Sequence, residues 1–151
     1  MKRSEKEISD IDAIKDIIHR SEVMRLGLCK EGMPYVVPLS FGYDGNKLFF
    51  HCAKEGMKTD YLNANNKVCF EFEQDVAIDS KEKSACAWGM HFKSVIGFGV
   101  AEEIMDAVSK NNALQVIMSQ YSDKEWELPE KAVAATSVWA ISIESMTGKQ
   151  G

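Results

Sequence analysis

A chain of 151 residues, 45% of them hydrophobic and 27% charged, fits one domain (1–151) able to bury roughly two thirds of its unfolded surface. Its net charge of -5 gives no broad attraction to nucleic acid or to an anionic membrane, so any anionic ligand must be small and met by local positive groups. The charged start, Met1-Lys-Arg-Ser-Glu-Lys-Glu7, lacks the apolar core of a secretory signal, and no later run approaches the roughly 18 apolar residues of a membrane span, so a cytoplasmic protein is expected.

Ser9 and Asp10 can cap a first helix in which Ile11, Ile14, Ile17 and Ile18 share one face, a brace on something larger. From Val23 the period changes. Residues 23–29, 35–43, 47–53 and 67–73 read as strands, and the Glu31-Gly32 and Asp44-Gly45 turns predict that the first three form an antiparallel meander. In the fourth, Val68, Phe70 and Phe72 alternate with Cys69, Glu71 and Glu73, as in a sheet with one dry face and one wet face. A short crossover helix fits 56–66, where Thr59 and Asp60 suit a first turn. Residues 74–87 are charged and irregular and predict an excursion or a weak helix. A long strand at 88–103, a helix at 106–121 and a final strand at 137–144 complete the order. Five or six antiparallel strands with few helices describe a small closed or half-open barrel.

Cys29, Cys52, Cys69 and Cys86 are widely spread, with no Cys-x-x-Cys pair, which predicts reduced, mostly buried thiols. His19 and His91 have no partner at metal-site spacing, so no metal is expected. Trp88, Trp126 and Trp139 suit a core or an interface, although an indole can also border a flavin.

Four features could carry chemistry. Gly97 and Gly99 leave one strand face nearly bare, which marks either a barrel bend or close approach by a backbone, a flat ligand or a second subunit. Pro38 inside a strand leaves backbone unpaired, either to address a flat heteroaromatic along Val37, Pro38, Leu39 and Ser40 or simply at a wet sheet edge. Lys58, two residues after Gly56, can join a helix N-terminus in holding a phosphate, or be a solvated lysine. His51 can exchange a proton near neutral pH, or merely pack. No Walker loop, dinucleotide fingerprint or Gly-x-Ser-x-Gly elbow is present.

Several motifs recur in a specific order: Arg25-Leu-Gly-Leu28, Pro34-Tyr-Val-Val-Pro-Leu-Ser-Phe-Gly-Tyr43, Leu48-Phe-Phe-His-Cys-Ala53, Gly56-Met-Lys-Thr-Asp-Tyr-Leu62, Asn66-Lys-Val-Cys-Phe70, Trp88-Gly-Met-His-Phe-Lys-Ser-Val-Ile-Gly-Phe-Gly99 and Ile143-Glu-Ser-Met-Thr-Gly-Lys149. Over residues 8–149 the chain resembles the nitroimidazole-resistance (Nim) proteins, within the pyridoxamine 5'-phosphate oxidase-like superfamily of FMN-binding split barrels. The resemblance implies a mainly β protein, a six-stranded antiparallel split β-barrel with peripheral helices, paired as a homodimer with FMN at the subunit interface. It implies that Val37, Pro38, Leu39 and Ser40 line the isoalloxazine, that Phe50 and His51 lie at the ring or ribityl side, and that Lys58 meets the phosphate. Ser94 and Val95 would contribute from the glycine-bearing strand, and Trp139 would cover the flavin from the second subunit. Tyr35 and Met57 stand where arginines of the pyridoxamine phosphate oxidases would be, which argues against vitamin B6 oxidation. The implied activity is reduction of a nitroimidazole or another small electron-poor substrate by an FMN-dependent oxidoreductase, with His51 or water supplying protons. The alternatives are a flavin- or haem-binding protein for storage or sensing, and a structural dimer with a vestigial cleft.

Overall fold

Asp10 opens the first helix, α1 (Ile11–Arg20), by accepting the Asp12 N–H at 3.0 Å, and the isoleucine stripe turns inward, with Ile14, Ile17 and Ile18 buried. The computed structural model describes residues 4–80 and 84–151; the extreme N-terminus and the middle of 74–87 lie outside the described residues. The strands are β1 (Glu7–Ile8), β2 (Met24–Lys30), β3 (Met33–Leu39), β4 (Gly42–Tyr43), β5 (Lys47–Cys52), β6 (Lys67–Asp79), β7 (Gly89–Ile104) and β8 (Ser137–Gln150). Six of them have six residues or more, while β1 and β4 have two each. The remaining α-helices are α2 (Met57–Ala64), α3 (Ala107–Ser119) and α4 (Glu130–Ala135), and Ser4–Lys6 and Ala85–Ala87 are single 3-10 turns, the second of them a short helix within 74–87.

All pairings are antiparallel, in the order β3-β2-β6-β7-β8-β5-β4, with β1 added to β8. The two ends of this order, β3 and β4, are separated in the chain only by Ser40 and Phe41. So short a link forces the sheet to curl until its ends meet, which makes a barrel. The closure is incomplete: β4 pairs with β5 only at Gly42–Phe49 and Tyr43–Leu48, and β3 pairs with β2 alone.

The meander expectation is therefore half right. The 31–32 and 44–45 turns do make hairpins, but β5 takes its long ladder with β8, not with β3. Residues 74–79 are also strand rather than excursion or helix. After a register shift between Gln74 and Ala77, with Asp75 at φ 55°, β6 runs on beside β7 as a two-stranded arm. Past Gln74 that arm buries almost nothing, so no alternation of apolar and polar residues signals it.

Inside the barrel Phe41, Phe50, Phe70 and Phe72 are fully buried, with Phe41 and Phe72 ring centroids 4.8 Å apart. The alternation in β6 holds, since Val68, Phe70 and Phe72 face the core while Cys69 and Glu71 are half-buried on the outside. A Cβ added at Gly97 would collide with the Phe70 ring and stand 2.8 Å from the Ser145 carbonyl oxygen, and Gly99 sits at a register shift against β8, where an added Cβ would meet Ser142 O and Ile141. Neighbouring backbone and an aromatic ring take the space of the missing side chains, so the bend and close backbone approach account for both glycines.

The carboxyl end of α3 ties distant segments together. Tyr121 Oη donates to Glu22 O at 2.8 Å and accepts the Phe41 N–H at 3.0 Å, while Gln120 Nε2 donates to His19 O and Ser21 O. All four cysteines are free, but none is fully enclosed: three are half-buried and Cys86 is exposed. Among the described residues, no helix is long and apolar enough to cross a membrane.

Candidate functional site

The chain leaves β5 at Cys52 and turns into α2 at Gly56, whose φ of 132° is a backbone conformation that favours glycine. Thr59 Oγ1 donates to Ala53 O at 2.9 Å and lies 3.7 Å from Cys52 Sγ, which fastens the first turn of α2 to the end of β5. The other end is held by Asn65 Nδ2 donating to Cys29 O at 3.1 Å, and the Tyr61 ring packs 5.3 Å from Tyr35. Thus α2 bridges β5 and the β2–β3 hairpin across the place where the barrel fails to close. With glycine as its cap residue, the helix has no side-chain cap. The first-turn N–H groups are therefore available to an anion.

Lys58 lies in that first turn, half-buried, and takes part in none of the ion pairs among the described residues. Its charge is felt at His51 on the adjoining strand. The His51 pKa is lowered by partial burial first and by the Lys58 ammonium second, so the imidazole favours its neutral form. A neutral imidazole can donate from one nitrogen and accept at the other.

Two strand edges frame the same gap. Beyond Phe49 the outer edge of β5 has no ladder partner, and the outer edge of β3, carrying Val37, Pro38 and Leu39, has none either. Ser40 and Phe41 are the link between them. Pro38 thus stands on an end strand, where proline is tolerated. The two edges thus offer main-chain N–H and C=O groups, and the start of α2 adds a positive charge beside them.

Other expected site residues do not join this group through their side chains. Phe50 and Val95 are fully enclosed, and Trp139 is 3% exposed. The Phe50 and Trp139 rings stack at 6.5 Å and 8°, and Trp139 Nε1 donates to Ser137 Oγ at 2.9 Å, which in turn donates to Glu103 Oε1 at 2.6 Å. The indole is held by its own chain. Ser94 pairs in register with Lys149, whereas His51 pairs with Val138. Eleven residues of β8 separate those rows, roughly 36 Å of strand. Within one chain Ser94 and His51 do not share a site. Tyr35 packs on Tyr61 and Met57 is exposed, so neither adds a cation near α2.

The Ser137–Glu103 link was not foreseen, because its members are far apart in sequence. A buried lysine, Lys110, was also missed; it stands on the helical face of Ala113, Leu114 and Ile117, and that break in an apolar stripe was the available signal.

Residues 10–150 match the family pattern described as pyridoxamine 5'-phosphate oxidase. The chain belongs to the pyridoxamine 5'-phosphate oxidase family. A candidate 5-nitroimidazole antibiotic resistance protein from Bacteroides thetaiotaomicron is similar at 33% identity and TM-score 0.86, over 95% of this chain and 86% of that one. Two more distant structures share the fold of this pyridoxamine 5'-phosphate oxidase family member. The flavocytochrome Anf3 from Azotobacter vinelandii superposes at TM-score 0.87 with 23% identity, over 100% of this chain and 72% of its own. An FAD- and haem-binding protein from Mycobacterium smegmatis does so at TM-score 0.87 with 18% identity, over 97% and 73%. The split-barrel expectation thus stands: a mainly antiparallel β fold whose neighbours include flavin- and haem-binding proteins.

Proposed function

We propose that this protein binds FMN in the gap between β3 and β5 and works as an oxidoreductase on small electron-poor molecules, nitroimidazoles among them. The observation that carries the reading is the pair formed by Lys58, without an ion pair among the described residues at the uncapped start of α2, and His51 beside it. The likeness to the Bacteroides protein supports the substrate class.

When bound, FMN supplies the hydride and electron chemistry that no side chain here can. The chain's own part is binding and proton handling. Lys58 Nζ and the N–H groups of the first α2 turn hold the phosphate. Backbone groups at Val37, Pro38, Leu39 and Ser40 meet the polar edge of the ring. Main-chain groups of Phe50 and His51 would also face the flavin, while the buried Phe50 and Trp139 rings stiffen that strand. His51 takes up a proton from solvent and passes it to the substrate.

A homodimer fits the same reading. Ser94 lies too far from His51 to serve the same flavin within one chain, so it would serve one held by the partner, with the enclosed Val95 anchoring its strand in the core. Val36, Ile96 and Phe98 are exposed on the outer sheet face, and Val76, Ile78, Trp88 and Met90 are exposed on the arm. Apolar patches of this kind are typical of interaction surfaces. Free cysteines suit a cytoplasmic setting.

A second reading, flavin or haem binding without turnover, is favoured by the fold shared with the Mycobacterium smegmatis protein. One experiment separates the two. Purified protein loaded with FMN should bleach anaerobically with a reduced nicotinamide and recolour when a 5-nitroimidazole is added. Bleaching without recolouring favours the binding protein, and failure to take up FMN at all rejects the proposal.

A further inference from the structure

The chain has four tyrosines, and the fold ties down the hydroxyls of two. Tyr43 Oη donates to Gly45 O at 2.9 Å, and Tyr121 Oη donates to Glu22 O and accepts the Phe41 N–H. Tyr35 and Tyr61 differ. Their rings are half-buried and pack on each other with centroids 5.3 Å apart, yet among the described residues neither hydroxyl has a hydrogen-bond partner and neither is sealed from solvent. Tyrosines whose rings are withdrawn from water usually direct the hydroxyl at a partner.

Their position supplies one. Tyr61 follows Lys58 by three residues on α2, which makes the two side chains neighbours on one flank of the helix, about 5–6 Å apart at Cβ. Tyr35 meets Tyr61 from β3, two residues before Val37 and on the same strand face, so one strand carries both backbone assigned to the flavin ring and a phenol beside α2. Asp60, the acidic residue of the first turn, is exposed and two positions from Lys58, on another side of the helix. Lys58 brings one positive charge to a phosphate that carries about 1.5 to 2 negative charges near neutral pH, and the oxygens left over need further donors. A phenol donates a hydrogen bond without adding charge. We infer that Tyr35 and Tyr61 donate their hydroxyls to the phosphate of the bound flavin and, with Lys58, set a preference for a phosphorylated flavin over riboflavin. The inference rests on the FMN reading above and adds to it two neutral donors on two elements, so that the cofactor's tail clamps α2 to β3.

Quenching of flavin fluorescence on the full-length protein, with FMN and with riboflavin, tests it. Tyr35→Phe and Tyr61→Phe keep both rings, and each should weaken FMN binding about tenfold, the loss of one hydrogen bond to a charged group, while riboflavin affinity stays that of the parent. A tyrosine that served packing alone would move both ligands together or neither. Should a variant fail to fold, the parent protein carrying 3-fluorotyrosine gives the same answer: two of its four fluorine resonances should shift further with FMN than with riboflavin. FMN held equally well by parent and Phe variants, riboflavin lost in step with FMN, or fluorine shifts that ignore the phosphate would overturn the inference and leave the flavin reading standing. A parent protein that takes up neither flavin would end both.

Discussion

Lys58 lies near enough to His51 for its charge to add to partial burial, the larger cause, in lowering the imidazole pKa. The folded state therefore binds this proton more weakly than the unfolded chain. The stability linked to His51 is present above its ordinary pKa of 6.5 and is lost as pH falls toward the folded value. Lys58→Met should raise the His51 pKa, read from the imidazole carbon-bound proton by NMR titration. An unchanged value would leave burial as the sole cause. FMN phosphate seated on Lys58 should raise it as well.

Lys58→Ala should weaken FMN retention about tenfold or more, the loss of one charge-assisted hydrogen bond. Quenching of flavin fluorescence measures this. The circular dichroism spectrum should not change, because Lys58 joins no ion pair among the described residues.

His51→Gln should slow turnover of a 5-nitroimidazole by about a hundredfold, the lower end of what a positioned proton donor contributes. FMN affinity should stay near that of the parent protein. Full activity in this variant would remove His51 from the chemistry.

Ser137→Ala strands the buried Trp139 indole N–H and frees Glu103. Leaving one buried donor without its acceptor costs about 1–3 kcal/mol, which a urea unfolding midpoint reads directly. Because the Trp139 ring stacks on Phe50, next to His51, turnover should fall as well.

Phe98→Asp puts a charge on the exposed face of β7, where Phe98 is 54% exposed in one chain. If that face joins two subunits, sedimentation should show monomers at concentrations where the parent is dimeric. An unchanged dimer would move the interface elsewhere.

Local chemistry made much of this molecule legible. The Ile14, Ile17 and Ile18 stripe, the Asp10 cap, the β6 alternation and the glycine-started helix at Lys58 each depend on neighbours a few residues away. What stayed hidden depends on distant partners. Nothing in Leu48 or Phe50 announces that their ladder is with Ile141 and Trp139. The arm at Ala77 and Ile78 is exposed on both sides, so its strand character comes from pairing with His91 and Met90 and not from burial. In the same way, Phe50 and Val95 could be placed near a cofactor by their motifs, but only the fold shows that their side chains point inward.

The pairing of β5 with β8 also bears on how the protein is made. Leu48 leaves the ribosome long before its ladder partner Ile141 has been synthesised, and the Tyr121 hydroxyl that ties Glu22 to Phe41 is likewise late. A nascent chain must carry β5, paired only with the two residues of β4, until β8 has followed about ninety residues later. Such late, long-range closure makes for slow maturation and places the gap between β3 and β5 among the last parts of the barrel to form.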